Sequence, residues 1–203
     1  REVIHLEEKT LYGYAWNKVY RVQSLRESGV VFEKITLIED IKFNVSYFDS
    51  VCSMNVLNTT PYHYLKRIDG SLTNKFLPDY FTLNAERVFL VLEQYKTWGM
   101  CTEEVRRILA NIYVRYLFSA LQRNCDKRSD MNHAQRKEWL KQQYKTPLCK
   151  ELLSAVQASG TLFKCMAKAF CAGNIPLCLM IARSIFAVKS AFPTVFSTLK
   201  QQH

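Results

Sequence analysis

Apolar side chains recur every three or four residues through the second part of this chain of 203 residues. This spacing places them on one face of an α-helix. The first such helix is predicted between Pro78, which fits a first helical position, and Gly99, where the pattern ends. A second is predicted after Thr102, a candidate N-cap, and its apolar face extends to Leu121.

Four more helices are predicted towards the end of the chain. A polar, charged stretch over residues 124–132 is typical of a loop and precedes them. The helices follow at 133–144, 147–158, 162–172 and 176–190, with Pro147, Gly160, Gly173 and Pro193 at the breaks. Residues 77–203 are therefore expected to form an all-α region.

The first 76 residues carry a mixed pattern. Helices are predicted over 15–28, ending at Gly29, and over 41–51. Short apolar runs predict extended segments or strands at 30–32, 53–57 and 62–65. A complete α/β domain needs several more strands to bury both faces of its sheet. The pattern therefore predicts an incomplete α/β segment over 1–76, followed by the helical region over 77–203.

The positive charge lies in the helical region. The formal net charge is +10; residues 1–76 hold ten Lys and Arg against nine Asp and Glu, whereas 77–203 hold eighteen against nine. Such a region suits phosphates of nucleic acid, anionic lipid head groups or a pyrophosphate-bearing substrate. Its cations are scattered over several predicted helices and no nucleic-acid-binding motif occurs, which argues against nucleic acid.

Seven cysteines occur without a Cys-x-x-Cys pair. An odd number of widely spaced cysteines argues against a disulfide framework and a zinc site, and is typical of free thiols in a reducing compartment. The longest apolar stretch, 169–182, is interrupted by Gly173 and Pro176 and is shorter than a membrane span of roughly 20 residues. We therefore expect a cytoplasmic protein whose membrane contact, if any, is peripheral, at the inner face of the plasma membrane.

Three short segments of the mixed region carry the candidate chemistry. They are Ala-Trp-Asn-Lys-Val-Tyr at 15–20, Glu-Asp-Ile-Lys-Phe at 39–43, and Tyr-His-Tyr-Leu-Lys-Arg at 62–67, which runs into Gly-Ser-Leu-Thr at 70–73. In order and spacing they resemble the second half of the inverting family-2 glycosyltransferases, which have a GT-A fold. The resemblance covers residues 2–76 and weakens over the helical region.

The resemblance implies transfer of a sugar, with inversion, from a nucleotide-sugar donor to an acceptor hydroxyl. The acceptor would be a glycan or a lipid-linked sugar of surface polysaccharide synthesis. Asp40 maps onto the general base that takes the hydroxyl proton. Arg67 and Ser71 map onto a loop near the diphosphate, where a planar guanidinium matches phosphate oxygens. The resemblance places Trp16 and Lys18 at the edge of the donor–acceptor cleft, and Glu39, beside Asp40, is a further substrate-binding candidate.

The family also holds a divalent metal, Mg²⁺ or Mn²⁺, on an Asp-x-Asp motif that ends its nucleotide-binding half. No Asp-x-Asp occurs in this sequence, so no metal ligands are assigned. We therefore expect that the nucleotide-sugar-binding half is missing from this chain. The chain alone is then expected not to turn over a nucleotide sugar.

Each candidate residue also has a purely structural interpretation. Asp40 precedes a predicted helix and fits its N-cap, Trp16 fits a core position, and Glu39 fits the surface. Lys18 and Arg67 fit solvated charges, and Ser71 fits a turn.

The whole chain likewise has alternatives to an enzyme. One is a non-catalytic basic helical binding module, and another is a remnant that forms a homodimer through an apolar patch. Lysines and Arg183 alternate with apolar residues over 163–189. This pattern fits either an anionic membrane surface or the solvated face of a helical bundle.

Overall fold

The computed structural model describes residues 2–35, 37–59, 62–63 and 76–192 of the chain. Within these ranges the regular elements are helices, and no residue belongs to a β-strand. The α-helices of the described ranges are α1 Val3–Glu8, α2 Val22–Ser28, α3 Glu39–Phe48, α4 Tyr80–Thr97, α5 Glu103–Arg123, α6 His133–Lys145, α7 Pro147–Leu152, α8 Thr161–Cys171 and α9 Ile175–Ala191. Short 3₁₀-helices lie at Lys127–Ser129 and Leu153–Ala155.

The predicted α/β segment is wrong: the chain is all-α wherever the structure describes it. Residues 30–32 and 53–57 form no strand, and of the strand predicted at 62–65 only 62–63 is described, outside any strand. Apolar β-branched runs favour a strand only where a neighbouring strand pairs with them. The described residues offer no such neighbour, and Val56 and Leu57 are instead 68% and 73% exposed. The described residues of 1–76 therefore do not form an incomplete GT-A (Rossmann-like) segment.

Two helices of the first part differ in extent from the predictions. The helix predicted over 15–28 begins only at Val22, because the preceding residues form a loop. It does end at Gly29, whose φ of 64° is the left-handed conformation that glycine adopts readily and whose N–H donates to the Leu25 carbonyl. α3 begins at Glu39, so Asp40 lies inside its first turn.

The helices predicted after residue 76 are confirmed. Side-chain caps start several of them: the Thr102 hydroxyl accepts the Val105 N–H at 3.3 Å, and Asn132 forms a capping box at the start of α6. Pro147 begins α7, where its missing N–H is not needed. α7 is shorter than predicted and ends at Leu152.

Two compact units contain the described residues. The first comprises those of Arg1–Lys75 and Thr82–Leu109, and the second those of Phe76–Phe81 and Ala110–His203. α5 contributes its beginning to the first unit and the remainder to the second. The division expected at residue 76, between a glycosyltransferase segment and a helical region, remains a prediction.

The first unit combines an apolar core with a buried ion pair. The Glu7 side chain on α1 is only 1% exposed, and the Arg87 guanidinium on α4 donates to both of its carboxylate oxygens at 2.7 Å. Two parallel charge-assisted bonds of this kind fix orientation as well as distance. The apolar side chains buried in the same unit include Ile4, Tyr12, Ile38, Ile41, Val88 and Leu92.

The second unit has its own apolar core. Leu117, Phe118 and Leu121 of α5 are buried in it. The Tyr144 ring of α6 stacks on Phe170 of α8 with 4.8 Å between centroids, and its hydroxyl donates to the Phe170 carbonyl at 2.7 Å. The stacked pair and its hydrogen bond hold α6 against α8.

The longest helices of the described ranges are α5 with 21 residues, α4 with 18 and α9 with 17. A membrane-spanning helix needs roughly 20 predominantly apolar residues. None of the described helices is both long and apolar enough to cross a bilayer.

The Glu7–Arg87 pair makes a stability prediction. Arg87→Met should lower the free energy of unfolding by about 3 kcal/mol or more, because it leaves the Glu7 carboxylate buried without this partner. Urea unfolding followed by circular dichroism measures the change. Lys96→Met breaks the more exposed pair with Glu93 on the same helix and should change it by less than about 1 kcal/mol. Equal losses in the two variants would contradict this account.

Candidate functional site

The candidate site lies in the first unit, where the loop over residues 11–20 meets α3. Buried side chains hold the start of this loop. The Tyr12 hydroxyl donates to Gln94 Oε1 at 2.6 Å. Asn44 Nδ2 donates to the carbonyls of Tyr12 and Gly13 at 3.2 and 3.1 Å. The loop therefore leaves the core in a fixed direction.

Asp40 contacts this loop directly. Its Oδ2 accepts the backbone N–H of Ala15 at 3.3 Å, across 25 residues of sequence. The N-cap position of α3 is taken by Ile38, without a side-chain cap, so capping α3 is not the role that Asp40 has in this structure. Glu39 and Asp40 both lie in the first turn, where the helix dipole favours a carboxylate.

Trp16 lies next to this contact and is not a core residue. The residue is 36% exposed, and its indole stacks on Tyr62, which is 53% exposed, with 5.1 Å between ring centroids and 26° between planes. Tyr14 lies on Trp16 as well, at 5.0 Å and 31°. We call Tyr14, Trp16 and Tyr62 the aromatic platform. Since consecutive Cα atoms are about 3.8 Å apart, the platform begins one residue from the Ala15 amide that Asp40 binds.

Lys18 folds back onto the loop instead of pointing into solvent. Its Nζ donates to the Leu11 and Tyr14 carbonyls, at 2.9 and 2.6 Å, and to Asn17 Oδ1 at 2.9 Å. An ammonium has three N–H donors, so these acceptors use all of them. Burial lowers the pKa of Lys18 to about 8, and the nearby Asp40 carboxylate acts in the opposite direction. Lys18 therefore shapes the loop, and a substrate would have to displace one of these bonds to reach it.

Glu39 has an unusual environment. Its Oε2 is buried and accepts no hydrogen bond from the residues that the structure describes. Buried carboxylate oxygens are nearly always hydrogen-bonded, so this atom is a place where a donor from another molecule would be favourable. Just before the helix, Leu37 has a φ of 86°, a strained value for a branched side chain.

The structure brings together four of the six predicted site residues. Trp16 and Lys18 lie in the loop and Glu39 and Asp40 at the start of α3, joined by the Ala15–Asp40 bond. Arg67 and Ser71 lie outside the described residues, so their place beside a diphosphate stays a prediction.

A divalent metal does not fit the described part of the site. No group of three His, Cys, Asp or Glu side chains in that part of the chain is arranged to hold a metal ion. Glu39 and Asp40 alone provide too few ligands for Mg²⁺ or Mn²⁺. No step of the chemistry is therefore derived through a metal.

Sequence reasoning missed three contributors to the site. Tyr14 was not singled out, although an aromatic residue two positions before Trp16 is a usable signal. Nothing in the sequence distinguishes Asn44 from other residues of its helix. In the structure it donates to the Tyr12 carbonyl and accepts a hydrogen bond from the Tyr20 hydroxyl at 2.7 Å. Tyr62 was assigned to a strand, whereas its role is to stack on Trp16.

Comparison of the chain with protein-family models, with curated proteins and with solved structures finds no match. The resemblance to family-2 glycosyltransferases therefore rests on the three sequence segments alone.

The nearby Asp40 carboxylate predicts a charge effect on the pKa of Lys18. Lys18 should titrate with a pKa of about 8, and Asp40→Asn should lower that pKa further, because it removes a negative charge that favours the ammonium. The ¹³Cε chemical shift of Lys18 followed by NMR measures both values. Glu27→Gln, which removes an exposed carboxylate from α2, should leave the pKa of Lys18 unchanged. A Lys18 pKa that rises in Asp40→Asn would contradict this arrangement.

The same shift sets the sign of a stability effect. The pKa of Lys18 lies below its ordinary value of 10.5, so between about pH 8 and 10.5 the folded chain binds fewer protons at this residue than the unfolded chain. The contribution of Lys18 to stability therefore increases as the pH rises through this interval.

Proposed function

We propose that this chain takes part in inverting glycosyl transfer, with the aromatic platform as the sugar-binding surface and Asp40 as the general base. The observation that carries the proposal is the position of Trp16. Its exposed ring stacks on Tyr62, 46 positions away, while the neighbouring Ala15 is bonded to Asp40. Segments that are far apart in sequence thus combine an exposed aromatic face with a carboxylate.

This combination suits the chemistry. The apolar face of a sugar ring packs against an exposed indole, and its hydroxyl groups remain available to polar partners. In a single displacement, the acceptor oxygen bonds to the anomeric carbon as the bond from that carbon to the nucleoside diphosphate breaks. The leaving diphosphate takes the electron pair, and the proton of the acceptor hydroxyl passes to the Asp40 carboxylate. The anomeric configuration inverts because attack and departure occur on opposite faces.

The bond from Ala15 is compatible with this role for Asp40. A carboxylate offers about four lone-pair positions over two oxygens, and the Ala15 N–H occupies one of them. A general base held by a neighbouring donor keeps a defined orientation. In the proposed reaction Arg67 and Ser71 contact the diphosphate, and the donor and acceptor are a nucleotide sugar and a glycan or lipid-linked sugar.

Non-catalytic binding is the second candidate. The use of all three Lys18 donors within the loop and the absence of a metal-holding group among the described residues both favour it. So does the positive charge of residues 77–203, with eighteen Lys and Arg against nine Asp and Glu. In that case the platform would bind a sugar and no transfer would follow.

Replacement of the base separates the two candidates. In a transfer assay on the complete gene product, Asp40→Asn should lower kcat by about 10²- to 10⁴-fold, since the amide cannot accept the proton. The fold should be retained because Asn Oδ1 still accepts the Ala15 N–H. Asp79→Asn, an exposed residue just before α4, is the matched control and should keep full activity. A folded Asp40→Asn protein with full activity would refute the assignment.

The platform is tested by binding. Trp16→Ala should weaken the affinity for methyl glycosides of common hexoses by about tenfold, because exposed aromatic anchors dominate such contacts. Line broadening of the glycoside signals in NMR titrations measures the affinity. Val19→Ala removes a side chain that is 99% exposed in the same loop and should leave the affinity unchanged. Equal affinity in wild type and Trp16→Ala would exclude the platform as the sugar surface.

A further inference from the structure

A basic cleft lies in the second unit, between α8 and the residues that follow α7. Its volume is about 420 Å³, and its lining residues are Val156, Ala158, Lys164, Ala167, Lys168 and Cys171. Three of these side chains are aliphatic and two are ammonium groups. The cleft therefore offers an apolar wall beside two positive charges, in the unit that does not contain the aromatic platform.

The two lysines are positive charges without a neighbouring negative charge among the residues that the structure describes. Lys164 and Lys168 are exposed and lie one helical turn apart on α8, a spacing at which like charges repel. No Asp or Glu occurs after Glu151 in the sequence, and in the described ranges neither ammonium has an ion pair. Lys137 and Lys141 on α6 have the same spacing, but Glu138 lies between them and pairs with Lys141 at 3.6 Å. An anion in the cleft would supply the missing negative charge at Lys164 and Lys168.

The surroundings favour an anion with an apolar body. Val156, Ala158 and Ala167 line the cleft and offer no hydrogen-bond donor from their side chains to a small hydrated ion. α9, which packs on α8, leaves Met180 and Val188 60% and 50% exposed. Exposed lysines together with exposed apolar side chains are typical of a surface that binds an anionic bilayer.

We propose that the Lys164–Lys168 cleft binds the phosphate head group of an anionic phospholipid and so docks the second unit on a membrane surface. The two ammonium groups face the phosphate, and the aliphatic lining contacts the glycerol and upper acyl carbons. This docking is independent of glycosyl transfer and does not require the platform or Asp40.

Vesicle binding tests the proposal. The chain should sediment with phosphatidylcholine vesicles that contain phosphatidylglycerol, and should remain in solution with phosphatidylcholine alone. Lys164→Gln with Lys168→Gln should reduce the partition coefficient by about fivefold for each lysine, about 25-fold together. Lys137→Gln with Lys141→Gln is the matched control, with the same charge change and spacing on α6, and should reduce it by no more than about threefold. Added salt should weaken binding of the wild type.

A thiol in the cleft gives a local readout. Cys171 lines the cleft and is exposed, so vesicles should slow its alkylation by a water-soluble maleimide. Cys52, exposed in the first unit, should react at an unchanged rate. Peptide mass spectrometry distinguishes the two thiols in one sample.

Three outcomes would overturn the proposal. The first is absence of binding to phosphatidylglycerol vesicles. The second is an equal loss in the two double variants, which would make the attraction a property of the overall charge. The third is protection of Cys171 by inorganic phosphate but not by vesicles, which would identify the cleft as a site for a free anion.

Discussion

The buried amide of Gln94 is the constraint on which the first unit depends. It lies on α4 with 3% exposure, and both ends of the amide are used. Its Oε1 accepts a hydrogen bond from the Tyr12 hydroxyl at 2.6 Å. Its Nε2 donates to the Val45 carbonyl at 2.7 Å and to Asp49 Oδ1 at 3.0 Å. One side chain thus ties α4 to the loop and to α3. A buried polar network that is satisfied in only one arrangement specifies that arrangement strongly.

The candidate site inherits its geometry from this network. Tyr12 fixes where the loop leaves the core, and Asn44 on α3 donates to the carbonyls of Tyr12 and Gly13. Three residues later Ala15 reaches Asp40 on the same helix, and Trp16 emerges into solvent. The exposed part of the site is therefore built on buried hydrogen bonds whose loss would leave unpaired polar groups in the core.

Helices after residue 76 could be predicted because their signals are local. Apolar spacing identifies the buried face, and caps such as Thr102 and Asn132 bond to backbone groups within three residues. The predicted strands were wrong because their signal is not sufficient by itself: a run such as 53–57 becomes a strand only if a distant segment pairs with it. The prediction of a helix from residue 15 was wrong because of a side-chain interaction that the apolar pattern does not reveal. The Lys18 ammonium donates to the carbonyls of Leu11 and Tyr14, and these bonds hold the residues in a loop.

The candidate site could be predicted only in part, because it too depends on contacts between distant segments. Trp16 and Asp40 were singled out because they belong to the short segments on which the proposed resemblance rests; in the structure Trp16 follows Ala15, and Asp40 accepts the Ala15 N–H. Gln94 and Asn44 carried no signal, because nothing in a single sequence reveals that an amide on one helix will meet a tyrosine 82 positions away.

In the proposed reaction the Asp40 carboxylate has two roles: it holds the loop through Ala15 and it acts as the general base. It lies in the first turn of α3, and its Oδ2 accepts the backbone N–H of Ala15 at 3.3 Å. This hydrogen bond orients the carboxylate. In the proposed transfer the placement of the base matters, because with a diphosphate leaving group much of the barrier is lowered at the leaving side and by positioning. In the proposed reaction the platform would supply that positioning, because a sugar held on Trp16 would lie beside Ala15, the residue to which Asp40 is hydrogen-bonded.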